Sequence, residues 1–271
     1  MPRITVDAEK SKFRLNLKEL FHYSDLFYTL AYRDLRVRYA QTFLGLFWAF
    51  LQPAATLLIF ILIFGKAMKV DTGDVPYPLF ALTGMAAWSY FSFVLSQSGQ
   101  SIIGAQEMVK KIYFPRLIIP LSKAMVGFVD FIIALVLMVV LMIVYGYTPS
   151  VNIIWFPLIL LINIFTALAI GIWLSALTIR YRDFIHVIPF MVQFGLYATP
   201  VGYPTSMIPG KYMLLYHLNP MAGVVEGFRY TLLGSDSLNH YTIISYITAL
   251  LLFVTGILYF KKVELIMADI V

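Results

Sequence analysis

The 271 residues are 61% apolar, carry 20 Lys and Arg against 14 Asp and Glu, and have a mean hydropathy of +0.83. A soluble globular domain runs near half apolar, so this composition points to an integral membrane protein. The net charge of +6 is spread over loops beside apolar stretches, where anionic headgroups account for it and nucleic acid need not, and with no cysteine there is no disulfide framework, thiolate metal site or redox motif.

Residues 1 to about 15 are charged without a clear period and read as a short arm. No cleavable secretory signal is expected, because the first apolar span begins only near residue 43. From Leu17 to Tyr39 the chain becomes amphipathic. Leu17, Leu20, Phe21, Ser24, Phe27, Tyr28, Ala31, Leu35 and Tyr39 share one helical face, and Lys18, His22, Asp25, Arg33 and Arg36 the other. Such a helix is expected to lie flat in the headgroup layer. A soluble helix packed on a partner is the alternative, and the apolar span that follows at once favours the interface.

Six apolar stretches follow, at about 43–65, 79–104, 117–145, 153–178, 184–201 and 242–260, each at or near the ~20 residues that cross hydrocarbon as a helix. A closed β-barrel would need short alternating segments, which are absent. Fifteen of the twenty Lys and Arg fall before the first stretch, between the second and third, between the fourth and fifth, and after the sixth. Cationic loops stay cytoplasmic, so six crossings with both termini inside are expected. The fold class is therefore all-α and membrane-embedded. It divides into an arm and interface helix (1–42), a transmembrane domain (43–260) and a tail (261–271).

Within the spans, Gln52-Pro53 should kink the first, for a pathway or for packing. On the second, Ser89, Ser92, Ser96 and Gln100 share a face flanked by Trp88 and Phe93, a pattern that serves close helix packing or lines a pathway. The third holds Lys123, able to snorkel, and Asp130, a carboxylate that needs a partner or a proton. After the fifth, two apolar pieces too short to cross lie at 212–218 and 221–233, separated by Pro200, Pro204, Pro209, Pro220, Gly202 and Gly210. They suggest helices that dip in and return, with Glu226 and Arg229 pairing at i, i+3.

No nucleotide-cradling G-x-x-x-x-G-K-[ST] loop occurs, nor a G-x-S-x-G elbow, nor a paired acidic motif. His22, His186, His217 and His240 are scattered, so no metal site and no catalytic residue is assigned. Asp130 is the one acidic group deep in a span, which gives a proton relay little support. The segment at about 105–116 is short, charged and aromatic, and ends at Pro115-Arg116. Tyr113 and Phe114, if exposed, could plug into a groove on a soluble subunit. Equally, its charges could serve only to fix orientation.

Several stretches, in order and correctly spaced over about 17–260, resemble the ABC-2-type polysaccharide export permeases. They are Tyr32-Arg33-Asp34-Leu35-Arg36-Val37-Arg38-Tyr39 running into Leu44-Gly45-Leu46-Phe47-Trp48 and Gln52-Pro53; Val109-Lys110-Lys111-Ile112-Tyr113-Phe114-Pro115-Arg116; Arg180-Tyr181-Arg182-Asp183; Thr199-Pro200-Val201; and Leu218-Asn219-Pro220-Met221 with Glu226-Gly227-Phe228-Arg229. The resemblance implies a six-span half-transporter of the bacterial inner membrane. Two copies would join two ATP-binding-cassette subunits to export lipid-linked polysaccharide of O-antigen type, with teichoic-acid exporters as near relatives. No cofactor is expected in this chain, ATP and Mg being held by the partner subunit.

Carried onto matching positions, the resemblance makes 17–39 the interface helix. It makes Glu107, Lys110, Lys111, Tyr113, Phe114 and Arg116 the ATPase-coupling segment. The outward re-entrant region becomes about 202–234, with Asn219, Pro220, Glu226 and Arg229. Sugars stack on aromatic rings, and among 22 Phe, 18 Tyr and 4 Trp the candidates for a channel lining are Trp48, Trp88, Tyr90 and Phe93, with Ser92 and Ser96. Arg33, Arg36 and Arg38, beside the membrane surface, would suit a lipid pyrophosphate. Membrane lipids are expected around the chain, and no nucleic acid. The competing readings are a lipid-linked glycosyl- or acyltransferase, a proton-driven transporter, and an ABC-2 exporter of another cargo such as a lipid or drug.

Overall fold

In a computed structural model, which describes residues 17–39, 47–234, 238–265 and 267, every regular element is helical. The expected arm at 1–15, the first residues of the 43–65 span and most of the tail fall outside the described residues. A backbone surrounded by lipid must satisfy its own N–H and C=O groups, and helices do so locally.

The elements are α1 (Leu17–His22), α2 (Ser24–Tyr39), α3 (Phe47–Phe60, continued by a π-helical stretch Ile61–Ala67), α4 (Tyr77–Gly104), α5 (Gln106–Lys111), α6 (Ile118–Tyr145), α7 (Phe156–Arg180), α8 (Phe184–Ala198), α9 (Met213–Tyr216), α10 (Pro220–Leu233) and α11 (Thr242–Glu264). Proline stands in the first turn of α4, α7 and α10, where its missing N–H costs nothing. Gly146 and Gly234, at φ 62° and 65°, end α6 and α10 in the left-handed region.

Among the described residues, five helical stretches are long and apolar enough to cross a membrane: Phe47–Ala67, Tyr77–Gly104, Ile118–Tyr145, Val151–Arg180 and Thr242–Glu264. The sixth expected span is α8, apolar but only 15 residues long. At 1.5 Å per residue it covers about 22 Å, short of the ~30 Å of hydrocarbon. The chain leaves α8 at Thr199, whose hydroxyl accepts a bond of 2.9 Å from Asn219 Nδ2. Asn219 also caps α10, accepting from the Met221 N–H at 3.0 Å. Thus α10 starts where α8 stops, and its last turn meets the α6–α7 connection, where the Ser150 N–H donates to Leu232 O at 3.3 Å. Of the two apolar pieces expected to dip and return, only the second forms a sizeable helix, buried on nearly every side. The first, 212–218, forms only the four residues of α9, and before it Pro204, Pro209 and Gly210 limit the chain to short turns at 205–207 and 210–212.

The bundle is built around α4, the least apolar of the five crossing helices and the most buried. It packs against α6, α7, α8, α10 and α3, while α11 lies on the other side of α7. Lipid tails are as apolar as Leu, so burial against protein gains little from the hydrophobic effect and close packing must hold the helices. Small residues supply it. A Cβ on Gly84 would meet the Val201 carbonyl oxygen at 2.8 Å, and one on Gly127 the Phe93 ring at 2.8 Å. Hydrogen bonds between helices add to this: Ser98 to Pro120 O at 2.8 Å, Thr178 to Gly99 O at 2.7 Å and Asn163 Nδ2 to Ala87 O at 3.2 Å. Each is worth about 0.6 kcal/mol in a membrane.

Candidate functional site

The connections α4–α6 and α7–α8 and the C-terminal end of α11 form one end of the bundle, here called the basic end; α1 docks there. A bond between Arg116 Nη1 and Glu264 O (2.8 Å) ties the first connection to α11. The Arg116 N–H also donates to Glu264 Oε1 at 3.2 Å, and Lys261 pairs with Glu264 at 2.7 Å. On the other flank, the Tyr113 hydroxyl donates to Glu19 of α1 at 3.3 Å. Partial desolvation of its hydroxyl and then the Glu19 carboxylate raise the Tyr113 phenol above its ordinary range, so it remains a donor. Glu107 and Lys111 form an exposed i, i+4 pair at 3.2 Å, and Lys110 is exposed beside them.

The expectation that Tyr113 and Phe114 both project is half corrected. Tyr113 is 76% exposed, but Phe114 is 3% exposed and packed in the core. Successive residues of the extended chain after α5 point to opposite sides, so one aromatic shows outward and the next anchors the loop.

The interface helix is refined in two respects. It runs through a single turn residue, Tyr23, with Tyr23 N–H still bonded to Glu19 O and Phe27 N–H to Tyr23 O at 3.2 Å, and α2 packs along α6. Leu20, Tyr23, Leu26, Phe27, Leu30 and Ala31 turn inward, whereas Phe21 and Tyr28, expected on the same face, are 77% and 59% exposed with Tyr32 and Val37. Two ion pairs fix this rotation. Asp34 pairs with Lys123, and Arg38 Nη2 with Asp130 Oδ2 at 2.6 Å. The Tyr39 hydroxyl donates to the other Asp130 oxygen. Burial alone would raise the Asp34 carboxyl, but Lys123 and Arg33 outweigh it and hold it below the usual carboxylate range. Burial, then the bond to Asp130, pushes the Tyr39 phenol up to about 12. Of the three arginines expected to meet a lipid pyrophosphate, Arg38 is thus ion-paired, Arg33 bonds its neighbour Asp34 at 2.9 Å, and Arg36 is exposed.

Beside this cluster, α3, α4, α6 and α8 enclose a cavity of about 380 Å³. Trp88, Ser92, Phe93 and Ser96 line it, as expected, together with Gln52, Pro53, Arg38 and Asp130. Ser89 and Ser92 donate to carbonyls of their own helix at 3.1 Å, which leaves oxygen lone pairs facing the space. Tyr90 does not line it: the ring is buried against Phe128 and Phe131, and the hydroxyl donates to Ala124 O at 3.2 Å. Trp48 stands 52% exposed in the first turn of α3, outside the cavity. Trp88 also walls a more apolar cavity of about 760 Å³ between α4, α8 and the 208–219 segment.

At the opposite end, the expected Glu226–Arg229 pair is replaced by separate partners. Glu226 accepts from Thr242 at 2.7 Å and lies 3.2 Å from His217 Nε2. Arg229 donates to Val201 O at 2.8 Å, and its guanidinium sits 3.5 Å from the centre of the Phe80 ring. Carbonyls freed where α8 ends attract the cation more directly than an acid on its own helix. Asn219 and Pro220 form the α10 cap described above.

Asp34, Gln97, Glu19 and Glu264 were not singled out from sequence. One signal for Asp34 was present: α2 reads acid then base (Asp34, Arg38), and α6 base then acid (Lys123, Asp130), the order that two helices running in the same direction can match.

The sequence pattern of the family described as "ABC-2 type transporter" matches residues 25–233, from α2 to the end of α10. The chain is 32% identical over 261 residues to the O-antigen export system permease protein RfbA of Klebsiella pneumoniae, covering 96% of this chain and 98% of that protein. Its likeness to RfbA of Myxococcus xanthus is 30% over 215 residues, 79% of this chain and 82% of the relative. To the polysialic acid transport protein KpsM of Escherichia coli it is 28% over 207 residues, 72% and 76% of the two chains.

Proposed function

This chain belongs to the ABC-2 type transporter membrane family, and from that premise we propose that it is the permease half of an ATP-driven exporter of lipid-linked polysaccharide of O-antigen type. The observation that carries the reading is the end-to-end match to O-antigen export permeases by a chain without a nucleotide-binding loop. Two copies work with two ATP-binding subunits in the bacterial inner membrane, both termini inside. In this reading α8 and the residues that follow it to 201 make the remaining crossing, with 202–234 as the outward re-entrant region. The exposed Tyr113 with Glu107, Lys110 and Lys111 docks on the ATPase, and Phe114 and Arg116 hold that loop in place. Glycan passes a wall that includes Trp88, Ser92, Phe93 and Ser96, and Arg33 and Arg36 meet the lipid pyrophosphate at the surface.

A hydrated glycan is too wide for the cavities of one bundle, and α3, the least buried crossing helix, leaves Gln52 exposed. Polar side chains are costly against lipid tails, which supports a second copy facing α3. The test is ATP-dependent glycan translocation into vesicles carrying the chain with and without its ATPase. Transport by this chain alone, or turnover of a lipid-linked sugar donor without ATP, would refute the proposal; the second result would favour a transferase. The likeness to a polysialic acid transport protein supports a second reading, in which the cargo is a capsule-type polysaccharide. Supplying each glycan in turn separates the two.

A further inference from the structure

Three cavities follow one another along one face of α4, each with polar side chains in its lining. The first, about 240 Å³, opens at the basic end by Gly104 and Ala105 and reaches Asp34, Gln97 and Lys123. The second, about 260 Å³, shares those three residues and ends on Arg38 and Phe93. The third is the 380 Å³ cavity, which begins on the same Arg38 and Phe93 and extends to Pro53. Gln100, Gln97, Ser96, Ser92 and Ser89 mark the whole track, and such a row beside lipid needs water or a polar occupant. Arg38 and Phe93 are the shared wall that divides it.

That wall is held by Asp130, by the Phe93 ring and by the Tyr39 ring, 5.7 Å from the guanidinium. The Arg38 guanidinium lies 4.5 Å over the Phe93 ring and reaches Asp130 through one nitrogen, Nη2. Its side chain remains 37% exposed, and that of Asp130 22%. Guanidinium has five N–H donors in a planar fork that suits phosphate oxygens at least as well as a carboxylate. Asp130, if released, retains the Tyr39 hydroxyl as a donor, so it is not stranded. Arg33 and Lys123 lie along the first cavity and share the Asp34 carboxylate between them, so an anion entering from the basic end meets one net positive charge before it meets Arg38.

We propose that the Arg38–Asp130 pair is a latch that a phosphate or pyrophosphate group opens: advancing along the α4 track, the anion takes Arg38 from Asp130 and joins the second cavity to the third. This rests on the reading of the chain as a permease for a phosphate-linked lipid.

The test uses the full chain in phosphatidylcholine nanodiscs, titrated with a long-chain prenyl pyrophosphate and, in a second arm, with inorganic pyrophosphate. Asp130→Asn, which releases Arg38 but keeps the shape, should tighten binding about tenfold, and Arg38→Ala should weaken it at least as much. Inorganic pyrophosphate competing at similar strength would show that the phosphate alone opens the latch. Binding of only the prenyl form would assign the headgroup presented from the membrane. Because the chain has no cysteine, a nitroxide on Val37→Cys, at the exposed rim of the second cavity beside Arg38, reports the latch. Its mobility should rise on adding the lipid. Wild-type binding with an unchanged Asp130→Asn affinity or an immobile nitroxide would overturn the latch and leave the permease reading standing. No binding by wild type or any variant would overturn both.

Discussion

At the scale of single residues, Gly127 is the position on which the Arg38 site depends sterically. A Cβ there would come within 2.8 Å of the Phe93 ring and 3.2 Å of Val94. Gly127→Ala is therefore expected to cost about 1–3 kcal/mol by overpacking, and to displace the ring beneath Arg38. Thermal unfolding in detergent checks the first effect, and an unchanged midpoint would contradict it. Asp34 gives a pH dependence of defined sign. Its folded pKa is depressed, so its contribution is present above the unfolded value near 4 and is lost as pH falls through the folded value. The α2–α6 contact should thus be steady from about pH 5 upward and loosen in acid, and Asp34→Asn should remove that acid transition. Limited proteolysis of α2 against pH reads this directly.

At the scale of elements, the 106–116 connection separates two aromatic neighbours. Phe114→Ala should destabilise the chain by about 3 kcal/mol, because a buried ring leaves a cavity. Tyr113→Ala should shift stability by under about 0.5 kcal/mol while weakening association with the ATPase. Equal losses of stability in both would mean that the loop has no docking face. How far these elements were legible varied with the range of the forces that set them. The ends of α4, α6, α7 and α11 follow from apolar run length, proline and glycine, all local signals, and they agree with expectation within a few residues. The facing of α1 and α2 was legible only in part: hydrophobic periodicity put Phe21 and Tyr28 on one face with Leu20 and Phe27, but contacts across some 90 residues, Asp34 to Lys123 and Arg38 to Asp130, decide which of them meet the bundle. Glu226 and Arg229 were misread for the converse reason. The i, i+3 rule describes an isolated helix, and in a buried one Thr242, His217 and the carbonyls at Val201 and Tyr203 compete more strongly.

At the scale of the whole molecule, the absence of native cysteine makes the expected topology directly measurable. Single cysteines at Asp74 and Lys211 should react with an impermeant maleimide in intact cells, and those at Lys111 and Arg182 only after lysis. Labelling of Lys111→Cys from outside would invert the orientation and remove the ATPase from reach of Tyr113. Consider last the paired helices α1 and α2, bonded near one end to the Tyr113 loop through Glu19 and fastened near the other to α6 through Asp34 and Arg38. From Glu19 to Arg38 is about 28 Å at helical rise. So long a strut acts as a lever: tipping it by ~5° swings its tip by about 2 Å, enough to part a hydrogen bond. A modest shove on the loop at one end thereby becomes a tug on the guanidinium at the other.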